Sequence, residues 1–355
     1  MPPHRRWGAG MITISLCMIV KNEEKILERC LNTVADLVDE IIIADTGSTD
    51  ATKEIAARYT EHVYDFPWTD DFSAARNFVF SKATQEYIYS ADADEVLSPE
   101  NRERFRALKM CLDPGIEIVQ MKYANQLCFG TVYNFDEEYR PKLFKRKRDF
   151  VWEAPIHEMV RLEPEVYDSD VVITHMPQGS HAKRDLENFR KSWEKGYRLS
   201  KRLHGMYARE LMMAGDREDF AGAAAIFAQS AADNERDGEE MAQACCVVAR
   251  AARLEGDVIS FFKYACKVIA QEACSEICCE MGLFYEERED WEEAAVWYYN
   301  AVYETQPILN LRAGGAESLE GLIRCYERLG CPEQADIYRQ ELQNCQTEVM
   351  GTDRG

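Results

Sequence analysis

Two short apolar runs, each ending in a polar loop and each followed by a helix signal, constrain this chain most. Residues 12–20 (Ile-Thr-Ile-Ser-Leu-Cys-Met-Ile-Val) read as a strand. Ile26, Leu27, Cys30 and Leu31 then fall at helical spacing. Asn22 stands where it can cap that helix, and Glu23 and Glu24 lie where a helix N-terminus favours negative charge. Residues 39–45 (Asp-Glu-Ile-Ile-Ile-Ala-Asp) repeat the pattern as a buried parallel strand. Thr46-Gly47-Ser48-Thr49-Asp50 follows as a loop, with Ser48 or Thr49 able to cap a helix over 51–58. A third strand-like stretch, Tyr87-Ile88-Tyr89-Ser90, runs into Ala91-Asp92-Ala93-Asp94-Glu95. Strands and helices in alternation, with acids at the carboxyl ends of strands, predict a nucleotide-binding α/β domain. The glycine fingerprint of dinucleotide sites is absent, and so is the P-loop pattern, which argues against a dehydrogenase or a P-loop enzyme.

On extended backbone, Asp92 and Asp94 point to the same side. Two close carboxylates repel unless a cation, a ligand group or a proton neutralises them. Such hard oxygen ligands suit Mg²⁺ or Mn²⁺, completed by a substrate phosphate. The alternative for Asp-X-Asp alone is a solvated acidic turn.

Val20-Lys21-Asn22-Glu23-Glu24, Asp45-Thr46-Gly47-Ser48-Thr49-Asp50, Asp71-Phe72-Ser73-Ala74-Ala75-Arg76-Asn77 and Asp92-Ala93-Asp94-Glu95 occur in that order. Together they resemble the ordered motifs of family 2 glycosyltransferases with the GT-A fold, over residues 11 to about 190. The branch most similar carries C-terminal tetratricopeptide-like repeats and includes the sublancin-type bacteriocin S-glycosyltransferases. The resemblance implies a mixed, mostly parallel sheet and a transferase acting on a UDP-sugar. It implies that the backbone at Val20 and Lys21, with Glu23 and Asp45, holds base and ribose. It further implies that Arg76 contacts the nucleotide, that Asp92 lies near ribose and metal, and that Asp94 binds a metal bridging the diphosphate. The plain alternative for Arg76 is a surface salt bridge to Asp70 or Asp71.

Short strands are expected at 116–124, 129–135, 139–145, 150–154 and 158–162. The basic run Arg140 to Arg148 reads as charge guarding an edge strand over 145–148 or as attraction for a diphosphate or anionic acceptor, and the resemblance implies a site-adjacent place for Arg140. In Trp152-Glu153-Ala154-Pro155-Ile156-His157-Glu158, the resemblance implies an acid serving as general base for an inverting transfer. Glu158 is the choice and Glu153 the competitor; His157 is either a neighbour in the site or a packed side chain. Ala154-Pro155 replaces the family's usual glycine, so the local backbone is expected to depart from the family's. His175, at the end of a strand over 171–174, is either a structural histidine or, as the resemblance implies, a second metal ligand beside Asp94, which would favour Mn²⁺ over Mg²⁺. Lys183 or Arg184, opening a helix over 182–203, is a candidate lid over the pyrophosphate.

Beyond about residue 205 alanine becomes frequent and small residues alternate with aromatics at helical spacing. Residues 276–307 match a tetratricopeptide unit through Gly282, Tyr285, Ala294, Tyr298, Ala301 and Pro307. Tyr326, Gly330 and Ala335 mark a second unit, and 221–232 and 249–269 mark weaker ones. Such a domain is a brace, a groove for an extended peptide, or a dimer interface. The expected organisation is a leader at 1–10, a transferase domain at 11–204, helical repeats at 205–346 and a tail at 347–355. A net charge of −21 argues against a nucleic-acid binder. No apolar run is long enough to span a bilayer, residues 1–10 lack the core of a secretion signal, and a cytoplasmic place is expected. The 13 cysteines read as small buried hydrophobes, with Cys274, Cys278 and Cys279 a weak metal alternative. The expected reaction moves a sugar from a UDP-sugar to Ser, Thr or Cys of a peptide or protein. The alternatives are a cell-envelope or core saccharide as acceptor, and a binding scaffold with an inactive transferase domain.

Overall fold

The computed structural model describes residues 11–124, 138–162, 165–177 and 182–351, with side chains to 344. It separates into two compact units, residues 1–181 and 182–355. The helix at 182–194, assigned from sequence to the transferase domain, falls within the second unit. There its Phe189 ring stacks on Tyr207 at 4.8 Å.

The first unit is built on an eight-stranded sheet of order β3-β2-β1-β4-β7-β6-β8-β5. β1 (Ile14–Val20), β2 (Glu40–Asp45), β3 (Val63–Asp65) and β4 (Tyr87–Ser90) run parallel. β6 (Ile118–Ala124) pairs parallel with β8 (Val166–His175), and β7 (Glu138–Lys145) runs antiparallel between β4 and β6. The two-residue β5 (Glu95–Val96) closes the order against β8. This mixed, mostly parallel sheet is the expected GT-A arrangement. β1 is buried almost throughout, as a central parallel strand covered on both faces must be. Helix α1 (Leu27–Val34) buries Leu27, Cys30, Leu31 and Val34, a stripe at the spacing of one helix face. α2 (Thr52–Ala56), α3 (Phe72–Lys82) and α4 (Pro99–Cys111) complete the unit. The pairings Val20↔Asp45 and Cys17↔Ser90 bring the ends of β1, β2 and β4 to one edge, where ligands bind in open α/β sheets.

Three strand expectations end differently. β7 is a central strand, so the charges at 145–148 do not guard an edge. They form a short turn in which Arg146 Nε donates to the Gln85 carbonyl at 2.5 Å and Arg148 pairs with Glu117 at 2.9 Å. The stretches 150–154 and 158–162 meet only as an isolated Glu153–Met159 bridge. Pro155 has no N–H for a ladder, and Ala154 and His157 adopt left-handed backbone (φ 79° and 47°). The strand expected at 129–135 lies outside the described residues.

The second unit holds α5 (Ala182–Glu194), α6 (Lys201–Ala214), α7 (Arg217–Ser230), α8 (Gly238–Glu255), α9 (Val258–Ile269), α10 (Ser275–Glu286), α11 (Trp291–Tyr299), α12 (Ala316–Arg328) and α13 (Pro332–Gly351). Asp216 with Asp219, and Asp237 with Glu240, close capping boxes on α7 and α8. These are tetratricopeptide-like helical repeats, and the packing explains the pattern in the sequence. Tyr298 of α11 is fully buried between glycines of two other helices. A Cβ would fall 2.7 Å from its ring at Gly282 of α10 and 2.6 Å at Gly321 of α12. Its hydroxyl donates to Glu286 at 2.5 Å. Gly321→Ala is therefore expected to overpack this contact and cost about 3 kcal/mol, read as a lowered urea midpoint. Cys278 and Cys279 pack in the same core, while Cys274 Sγ lies 3.5 Å from Cys246 Sγ. Among the described residues no helix is long and apolar enough to cross a membrane.

Candidate active site

The loops leaving β1 and β2 are laced together. Asn22 N–H donates to Ser48 Oγ (2.9 Å) and Thr49 N–H to Asn22 Oδ1 (2.8 Å). Glu23 N–H donates to Thr52 Oγ1 (2.7 Å), and Ala51 N–H to Glu24 Oε2 (3.1 Å). Asn22, Ser48 and Thr49 therefore do not cap helices as expected. Asn22 turns into the left-handed region (φ 56°), α1 starts only at Leu27, and neither α1 nor α2 has a side-chain cap. The polar side chains satisfy the facing loop instead.

At the end of β2, Asp45 is 2% exposed. Its Oδ1 accepts from the N–H groups of Gly47 (2.9 Å) and Ser48 (2.8 Å). Gly47 has φ 105°, which needs a glycine. Asp45 Oδ2 is buried and finds no hydrogen-bond partner among the described residues. A buried carboxylate oxygen in that state calls for a donor from a ligand or water. Nearby, the Val20 carbonyl accepts from Thr46 N–H (2.9 Å) and Oγ1 (3.1 Å). Lys21 is exposed and Glu23 half-buried in the same loop.

Arg76 joins two of the expected acids. α3 is capped by Asp71, whose Oδ1 accepts from Ala74 N–H at 3.1 Å. One turn on, Arg76 donates to Asp92 Oδ1 (2.8 Å), to Ser90 Oγ (3.1 Å) and to Glu158 Oε1. Its guanidinium lies 4.9 Å from the Trp152 ring centre. The surface pairing with Asp70 or Asp71 is thus replaced by a buried one. Burial alone would discharge Arg76, but the carboxylates of Asp92 and Glu158 outweigh it and hold its pKa above the arginine range. Burial likewise works to raise Asp92, yet Arg76, then Lys142, carry it well below the usual carboxylate range. Asn77, the motif's last residue, clamps the Trp152 backbone in both directions (2.8 and 3.0 Å), and Phe72 N–H reaches the Pro155 carbonyl (2.9 Å). Asp71-Phe-Ser-Ala-Ala-Arg-Asn thereby seats the segment that delivers Glu158. Glu153, the competing acid, is 55% exposed at its side chain and pairs with Arg161 at 3.6 Å.

Asp94 Oδ2 lies 3.1 Å from His175 Nε2. The Tyr123 ring lies 5.2 Å from the His175 ring, and Arg140 stacks over Tyr123 at 3.9 Å while pairing with Glu138. Among the described residues no group of three or more His, Cys, Asp or Glu is set for a metal. One carboxylate and one imidazole would suit a divalent ion such as Mn²⁺ or Mg²⁺, with Asp94 and His175 as the residues that would hold it. Lys183 belongs to the second unit, where it pairs with Asp216 and Asp219.

Two features escaped the sequence reading. Glu95, 2% exposed, makes a buried ion pair with Lys142. Burial pushes Glu95 up to about 7 despite the ammonium beside it, and Asp92 and Asp94 add to the rise. The second is the Asn77–Trp152 clamp, which no local spacing announces. Lys142, directly before the apolar pair Leu143-Phe144, was the available sign of the first.

Residues 15–160 match the model of glycosyl transferase family 2. The first unit carries a family 2 glycosyltransferase domain. A TPR repeat-containing protein of Synechococcus elongatus is 38% identical over 43% of this chain and 36% of its own length. The SPbeta prophage-derived glycosyltransferase SunS of Bacillus subtilis is 39% identical over 28% of this chain and 24% of its own. The chain thus spans a quarter to about a third of these relatives. Glucosyl-3-phosphoglycerate synthase from Mycobacterium tuberculosis, crystallised with Mn²⁺ and UDP-glucose, is 14% identical over 55% of this chain and 86% of its own, with a TM-score of 0.39. That last likeness is too loose to assign a ligand.

Proposed function

We propose that this glycosyltransferase domain transfers a sugar, with inversion, from a UDP-sugar to Ser, Thr or Cys of a peptide or protein, using Mn²⁺ or Mg²⁺. The observation that carries the reading is the 3.1 Å contact of Asp94 with His175 at the carboxyl edge of the sheet. A divalent ion there would neutralise charge on the departing diphosphate. The unpartnered Asp45 oxygen supports a nucleotide whose base presents an N–H, as uracil does. Val20, Lys21 and Glu23 border that place on the neighbouring loop. Asp92, kept ionised by Arg76, accepts from the ribose, and Glu158 takes the acceptor's proton as it attacks. The helical repeats support a peptide acceptor, since stacked units expose a groove.

UDP release from a panel of UDP- and GDP-sugars with Mn²⁺, Mg²⁺ or EDTA tests the reading without an acceptor. Metal-dependent hydrolysis of one UDP-sugar is expected, reduced about 10²-fold or more by Asp94→Ala. Absence of turnover and of nucleotide binding would overturn it in favour of a repeat-based scaffold.

A further inference from the structure

Lys142 is the charged residue in the most apolar part of β7, between Pro141 and Leu143. Val119 pairs with Leu143 and Gln120 with Pro141, so Lys142 is the extra residue of a β-bulge and faces no residue of β6. The bulge explains how a proline sits within a central strand. It also re-aims the lysine, which is what bulges beside functional sites do. The ammonium lies 5.3 Å from the Tyr123 ring centre on β6 and pairs with Glu95 on β5. β6 and β8 separate those two strands in the sheet, so the pair straps the last strand to the middle of the sheet.

β5 needs such a strap. It has two residues, joined to β8 by the pairs Glu95↔His175 and Val96↔Thr174. Asp94 immediately precedes it, and the Asp94 carbonyl accepts from Met176 N–H at 2.8 Å. Any shift of β5 along β8 moves Asp94 against His175. Glu95 is 2% and Lys142 8% exposed at the side chain, so neither partner is replaced by water without rearrangement.

We propose that Lys142, through its ion pair with Glu95, is a positioning residue that sets the Asp94–His175 spacing and with it the affinity for the metal-bound diphosphate of the donor. This rests on the glycosyltransferase reading above. Acting through Glu95, Lys142 touches neither donor nor acceptor.

The test is calorimetric binding of UDP in the presence of Mn²⁺ to the full chain, beside its melting temperature. Lys142→Met is expected to weaken binding about tenfold or more, and Lys142→Arg to restore it to within about threefold. Lys142→Met also leaves Glu95 buried beside Asp92 and Asp94 without its partner, so that it must take up a proton, and lowers the melting temperature. The double variant Glu95→Gln/Lys142→Met leaves no buried acid to neutralise, so it recovers most of that temperature while UDP binding stays about tenfold weaker. Binding that recovers together with stability in the double variant would overturn the proposal, because the pair would then only hold the fold. Unchanged binding by folded Lys142→Met would overturn it too. Wild-type protein that binds no UDP with either metal would overturn the glycosyltransferase reading and this inference together.

Discussion

Arg76→Met is expected to lower stability by about 3 kcal/mol, seen as a reduced urea midpoint with unchanged slope. The arginine is 11% exposed at its side chain and holds Asp92 and Glu158 together. Removing it takes the guanidinium from between two acids, a change that costs about 3–5 kcal/mol when both are fully buried. The low end applies because Asp92 keeps 36% of its side chain open to water. Asp92 also loses the charge that keeps it ionised well below the usual range. Its stabilising contribution is present above the unfolded carboxylate range and is lost as pH falls through the folded value. The wild type is therefore expected to lose part of its advantage over Arg76→Met at acid pH. An advantage that does not shrink between pH 7 and pH 3 would contradict the pairing.

Glu158→Gln is expected to lower kcat for transfer by about 10²–10⁴-fold, while Glu153→Gln changes it by less than about threefold. Glu158 is 10% exposed and oriented by Arg76, whereas Glu153 is largely in water beside Arg161. The amide keeps a hydrogen-bonding oxygen for Arg76, so melting temperature and UDP binding are expected to hold. Equal losses for the two variants, or a loss for Glu153→Gln alone, would move the base to the other acid.

Ala154 links the sequence reading to this geometry. The sequence shows alanine and proline where the family has glycine, and the backbone at Ala154 takes φ 79°. Alanine there adopts the left-handed conformation that glycine takes freely. The cost of a side chain there, roughly 1–2 kcal/mol, is borne by the packing that seats Trp152. The loop at Asn22 is the converse case. Its composition reads as a helix cap, and the facing loop takes the same hydrogen-bonding groups.

Local periodicity by itself determined the strands β1, β2 and β4, the stripe of α1, and the acids that end β2 and follow β4, because these depend on near neighbours in the chain. It also determined the repeat character of the second unit, since Gly282, Ala294 and Tyr298 stand at fixed helical spacing. Only the tertiary structure decided what those acids face. Arg76 has Asp92 sixteen and Glu158 eighty-two positions away. Asp94 meets His175 eighty-one positions on, and Lys142 meets Glu95 forty-seven positions back. Pairings over such separations follow from strand order and from one bulge. Side-chain charge chooses among partners only after the sheet has brought them within reach, and the sheet order is set by burial summed over the whole unit.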